Sequence, residues 1–103
     1  MEAVSKAETF IGFAMRTGRY KIGVNAVYTM KRAHLLIVCK SASENTLKEA
    51  QKLSKRFNCP LFITVIKPLE EYVHRENAKL MAIADKDLAK AIIGVKQTEF
   101  IEN

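Results

Sequence analysis

The run Leu35-Leu36-Ile37-Val38-Cys39 is continuously apolar, and Leu61-Phe62-Ile63-Thr64-Val65 repeats that character one helix later. Unbroken runs of strand length suit strands covered on both faces. Between them Leu47, Ala50, Leu53 and Phe57 recur at helical spacing, while Lys48, Glu49, Lys52 and Lys55 take the other side. That pattern is an amphipathic helix. Ser41-Ala42-Ser43-Glu44 matches a capping box at its start, and Ser43 serves equally as the cap. Asn58-Cys59-Pro60 ends it, because the residue before a proline avoids helical backbone.

The same alternation extends in both directions. Val4, Ala7, Ile11 and Ala14 repeat at three and four residues, which predicts a helix over about 3–17 stopped by Gly18. Tyr20-Lys21-Ile22 reads as a brief extended segment closed by Gly23, and a second helix is predicted over 24–32 with Val24, Val27 and Tyr28 on one face. Downstream, Pro68 suits the first turn of a helix reaching Arg75, with Glu70 and Glu71 near its positive end. Leu80-Met81-Ala82-Ile83 is the next strand, and Asp85 can cap a last helix containing Leu88, Ala91 and Ile92. Parallel strands need helical crossovers, so this alternation predicts an α/β chain folded as a three-layer α/β/α sandwich. The expected domain is single and spans residues 1–94. Residues 95–103 read as a C-terminal tail, in which Phe100 and Ile101 are the residues able to dock.

Composition agrees with one globular domain. The chain has 103 residues, 49% hydrophobic and 27% charged, with four Gly and two Pro. A chain of this size buries somewhat over about 60% of its unfolded surface, enough for a core without disulfides or metal. No apolar run approaches the roughly 18 residues of a membrane span. Met1-Glu2-Ala3-Val4-Ser5-Lys6 is charged and mixed, unlike a secretory signal, so a cytoplasmic address and no membrane partner are expected. Cys39 and Cys59 read as reduced core thiols.

The charge is unevenly placed. Seventeen Lys and Arg against eleven Asp and Glu give +6. Residues 1–56 carry eleven basic and four acidic side chains, net +7, whereas residues 57–103 carry six and seven, net −1. Between Thr9 and Ser43 stand six basic residues and no acidic one. Such a stretch attracts phosphates by Coulomb force and by counterion release.

Catalytic chemistry finds no foothold in the pattern. His34 and His74 lie in different elements without ligand-spaced partners, and neither cysteine stands beside a base. Adjacent Glu70 and Glu71 point apart on their helix. Gly12, Gly18 and Gly23 fit neither the dinucleotide nor the P-loop spacing. The reading is a non-enzyme without metal or cofactor.

Binding is better supplied. Arg16, Arg19, Lys21, Asn25, Lys31 and Arg32 are close in sequence around Gly23. Gly23 has no side chain to hold a nucleic-acid backbone off, and the helix after it is expected to offer free N–H groups to a phosphate. The Asn25 amide both donates and accepts, so it suits a base edge, and it suits a helix cap equally. Lys31 and Arg32 either meet phosphate or complement the C-terminal end of their helix.

These residues also carry a resemblance. Gly12-Phe13-Ala14-Met15-Arg16-Thr17-Gly18-Arg19-Tyr20-Lys21-Ile22-Gly23 resembles the opening of the L-seven-Ae type ribosomal proteins, a superfamily that binds kink-turns in RNA. Ala42-Ser43-Glu44-Asn45-Thr46, Asn58-Cys59-Pro60 and Ala84-Asp85-Lys86-Asp87-Leu88-Ala89-Lys90-Ala91-Ile92 are similar to it too, and the small bacterial YlxQ-like branch is nearest. The resemblance spans residues 8–93. It implies an α/β/α sandwich around a mixed four-stranded sheet, as in the ribosomal L-thirty-e-like fold. It implies a partner in structured RNA, ribosomal RNA included, met at the Gly23 helix start and at a loop before the last strand. That loop maps to Arg75-Glu76-Asn77-Ala78-Lys79, which puts Arg75 and Lys79 among the contacts. Kink-turn binders of this type carry Asn, Glu and Lys two, three and six residues after the glycine, where this chain has Asn25, Ala26 and Thr29. The expected binding is therefore mainly to phosphates, with Asn25 as the base reader. The alternative is a protein-interaction module on the same fold that has lost RNA.

Overall fold

In the computed structural model, which describes residues 5–95 and 99–103, five helices and five strands alternate. They are α1 (Lys6–Thr17), β1 (Tyr20–Ile22), α2 (Val24–Tyr28), β2 (Leu35–Val38), α3 (Glu44–Phe57), β3 (Leu61–Thr64), α4 (Leu69–Val73), β4 (Leu80–Ile83), α5 (Lys86–Gly94) and β5 (Phe100–Glu102). Val4, expected on the apolar face of α1, lies outside the described residues, as do residues 1–3 and 96–98 of the expected tail.

The helix ends follow local chemistry. The Ser5 and Ser43 hydroxyls accept from the Glu8 and Thr46 N–H groups and start α1 and α3, and the Asp85 carboxylate accepts from two N–H groups to start α5. Gly18 closes α1 and Asn58 closes α3, both in the left-handed conformation. Two helices are shorter than their spacing predicts. His74, at φ 55°, ends α4 after five residues, and α2 likewise stops at Tyr28, five residues from its start.

All strands join one mixed sheet in the order β1-β4-β2-β3-β5. β2 and β3, joined through α3, are its one parallel pair, and the other three pairs are antiparallel. The sheet therefore has five strands where four were expected. The extra one is β5, which pairs with β3 in the register Ile63↔Ile101 and Thr64↔Phe100. Its anchor is Phe100, 2% exposed, which stacks on Phe62 at 5.9 Å between ring centroids and meets Tyr72 at 5.5 Å.

Side chains alternate across a strand, and here the alternation builds two cores. Leu35, Ile37, Phe62, Met81 and Ile83 meet buried residues of α1, α4 and α5 on one face. Leu36, Val38, Leu61, Leu80 and Ala82 meet Val27 of α2 and Ala50 and Leu53 of α3 on the other. No helix among the described residues is long and apolar enough to cross a membrane.

Candidate nucleic-acid interface

β1 is an edge strand, and its end decides where Gly23 sits. The Gly23 N–H donates to the Leu80 carbonyl at 2.9 Å, fixing the start of α2 beside the first residue of β4. The 74–79 loop ends at that same point. Neighbouring bonds complete this end of the sheet: Cys39 N–H donates to the Lys79 carbonyl at 2.8 Å, and the Lys79 ammonium donates to the Ser41 hydroxyl at 2.9 Å. Gly23 adopts φ 99° and ψ 146°, a conformation open almost only to glycine. Two residues on, Asn25 is exposed, and its amide has no partner among the described residues.

Two cations of the 74–79 loop are held in place, Lys79 at this end of the sheet and Arg75 over Tyr20, which pairs with Ile83 at the other. The Arg75 guanidinium lies over the Tyr20 ring, 5.4 Å from its centroid, and donates to the Tyr20 hydroxyl at 2.6 Å. Lys79 pairs with Glu70 at 3.1 Å. Lys21, between the inward-packed Tyr20 and Ile22, is exposed on the opposite face of the edge strand, the face that carries α2.

The remaining expected site residues stand at the other end of the sheet. The Ala84 N–H donates to the Arg19 carbonyl and the His34 N–H to the Ile83 carbonyl, so Arg19 and the loop before β2 both meet the far end of β4. Arg16 lies over the Phe13 ring at 5.5 Å, in the last turn of α1. Lys31 and Arg32 follow α2 in that loop, outside any helix. Gly23, Asn25 and Lys79 are thus brought together, while Arg75, seated on Tyr20 opposite Ile83, shares the other end with Arg19, and Arg16, Lys31 and Arg32 also stand away from the Gly23 corner. Four residues of strand span roughly 10–13 Å. With only five residues α2 carries little of the dipole of a full helix.

Carboxylates from the C-terminal half reach some of these cations. Arg19, 67% exposed at its side chain, pairs with Asp85 at 3.3 Å. The Asp85 carboxyl is held below its ordinary range, first by the Leu88 N–H it accepts, then by the Asp87 N–H and by Arg19. Its folded-state value lies below the unfolded one, so it adds stability above about pH 4, which fades as the pH falls through the depressed value. Wild type is expected to melt above Asp85→Asn near neutral pH, and the two melting curves to converge in acid. A gap that stays constant from pH ~7 to pH ~2.5 would count against this role.

The cysteines are both free thiols. Burial pushes Cys59 up to about 11. Burial raises Cys39 as well, but hydrogen bonding with Ser41, the Leu69 N–H at 3.3 Å and the nearby Lys79 outweigh it, and the net direction is down. Among the described residues no group of His, Cys, Asp and Glu is arranged to hold a metal ion.

Two contributors escaped the sequence reading. Tyr20 acts as the seat for Arg75, and Arg56 of α3 lies beside Lys31 and Arg32 around one concavity. The only sequence signal for Arg56 is its place in the last turn of α3, where a cation ordinarily serves the helix dipole.

No protein-family model and no curated protein matches the chain. Its fold is similar to the solved structure of a protein with unknown function from Bacillus halodurans C, at TM-score 0.75 and 17% identity over 89% of this chain and 97% of that one. At that identity the similarity is one of fold, a mixed sheet with helices laid over it.

Proposed function

We propose that the chain is a non-enzymatic RNA-binding protein of the ribosomal L-seven-Ae type, a three-layer α/β/α sandwich that binds structured RNA, kink-turns included, and works in the cytoplasm with the ribosome. One observation carries the reading: the Gly23 N–H bond to Leu80, 2.9 Å long, which lays the Gly23–Asn25 corner against Lys79 at the end of the 74–79 loop. Those are the two segments that RNA meets in the proteins the sequence resembles. The unengaged Asn25 amide supports base contact, and the exposed Lys21 supports phosphate contact along the same edge. Ala26 offers no carboxylate to a guanine, and the Thr29 hydroxyl is spent on the Ala26 carbonyl at 2.6 Å. Phosphates therefore supply most of the affinity.

A good base contact is worth roughly 1–3 kcal/mol, so Asn25→Ala is expected to weaken binding of a kink-turn RNA by about 5- to 150-fold. A fluorescence-anisotropy titration measures it. Equal affinity of the two proteins would remove Asn25 from the interface. A protein-interaction module is the second reading, favoured by Ile66 and Ile101, 61% and 54% exposed near the β5 edge. Copurification of one protein that survives high salt and ribonuclease would favour it over RNA.

A further inference from the structure

Most cations that touch another element are already matched. Arg19 meets Asp85, Lys67 meets Glu8 and Lys79 meets Glu70. A concavity of about 300 Å³ at the far end of the sheet breaks this pattern. Lys31, Arg32 and His34 line it from the loop before β2, Arg56 lines it from the last turn of α3, and Asn58 from the connection to β3. No carboxylate lines it.

The cations there are also chemically idle. Lys31 and Arg32 are exposed and have no hydrogen-bond or ion-pair partner among the described residues. Arg56 lies 5.9 Å from the Tyr28 ring centroid and 5.6 Å from that of Phe57, contacts that steady a guanidinium without consuming its donors. The walls are fixed by backbone: the His34 N–H donates to Ile83 at 2.8 Å, and the Leu36 N–H joins the two connections by donating to Pro60 at 3.0 Å. The dipole of α3 accounts for a cation at Arg56. It does not account for two more arriving from a different segment.

We infer that this basic pocket is a second phosphate-contacting site for the same RNA, which would run along the α2 side of the sheet from the Gly23 corner to Arg32. The inference rests on the RNA reading above. α2 and its following loop connect the two ends, and Lys21 is exposed between them. An open, shallow pocket with three unpaired cations on two segments suits neighbouring phosphodiesters of a longer chain, one to each cation, since the rest of the nucleotides lie outside it.

The test is the salt dependence of binding by the full chain to a kink-turn RNA, for wild type and for the Lys31→Ala, Arg32→Ala, Arg56→Ala triple variant. Each lost phosphate contact lowers the slope of log affinity against log salt by about 0.7, so a drop of roughly 2 is expected. The Lys31→Arg, Arg32→Lys, Arg56→Lys protein keeps the charges and should keep the slope. Should the triple variant fail to fold, Lys31→Ala with Arg32→Ala, both in an exposed loop, should still lower it by about 1.4. A wild type that binds with a slope unchanged by these substitutions overturns the second site and leaves the RNA reading standing. A wild type that binds no RNA removes both.

Discussion

Phe100→Ala is expected to lower stability by about 3–5 kcal/mol, the usual cost of emptying a buried aromatic site. The residue is 2% exposed and closes a three-ring cluster with Phe62 and Tyr72. The Tyr72 hydroxyl donates to Glu99 at 2.8 Å, so the same cluster ties down the chain entering β5. Losing the ring removes apolar burial and leaves three residues of edge pairing too weak to hold β5 alone. Domains of this length are stable by only about 5–15 kcal/mol, so the change takes a large share of the total. Chemical denaturation measures it. Ile101→Ala, at a residue 54% exposed, should change stability by under about 0.5 kcal/mol. A Phe100→Ala protein within about 1 kcal/mol of wild type would show that β5 is not part of the cooperative fold.

Gly23→Ala is expected to cost about 1–3 kcal/mol although nothing stands in the way of the new methyl group. A Cβ at Gly23 would meet no atom within 4 Å. The cost is conformational, since φ 99° is a region that side-chain-bearing residues rarely enter. The backbone relieves the strain by rotating, which loosens the bond to Leu80 and moves Asn25 with the start of α2. RNA affinity should therefore fall together with stability, and by at least as much as in Asn25→Ala. Unaltered melting and unaltered RNA binding together would mean that the corner geometry carries neither role.

The central unit was legible in the sequence because its signals agree: two unbroken apolar runs, a two-faced helix, a serine at its start and Asn58-Cys59-Pro60 at its end. The edges were less so. β5 is three residues long, and its strand character comes from a distant cluster around Phe100 rather than from any period of its own. α2 looked longer because Val24, Val27 and Tyr28 keep helical spacing, but Met30 turns the chain out through its N–H bond to Val27 at 3.1 Å. The candidate site divides for a topological reason. Residues 16–32 cross the sheet in β1 and cross back in α2, so neighbours in sequence end up at opposite ends. Arg56 joins Lys31 and Arg32 only because β2 and β3 run parallel, which sequence spacing alone does not reveal.

The most direct measurement is an electrophoretic titration of the whole protein against total ribosomal RNA and against a kink-turn RNA, in ~50 mM salt. A complex should form with structured RNA and dissolve steeply as salt rises, because phosphate contacts are lost to competing ions. Free RNA migrating unchanged at every protein concentration, with both RNAs, would contradict the account.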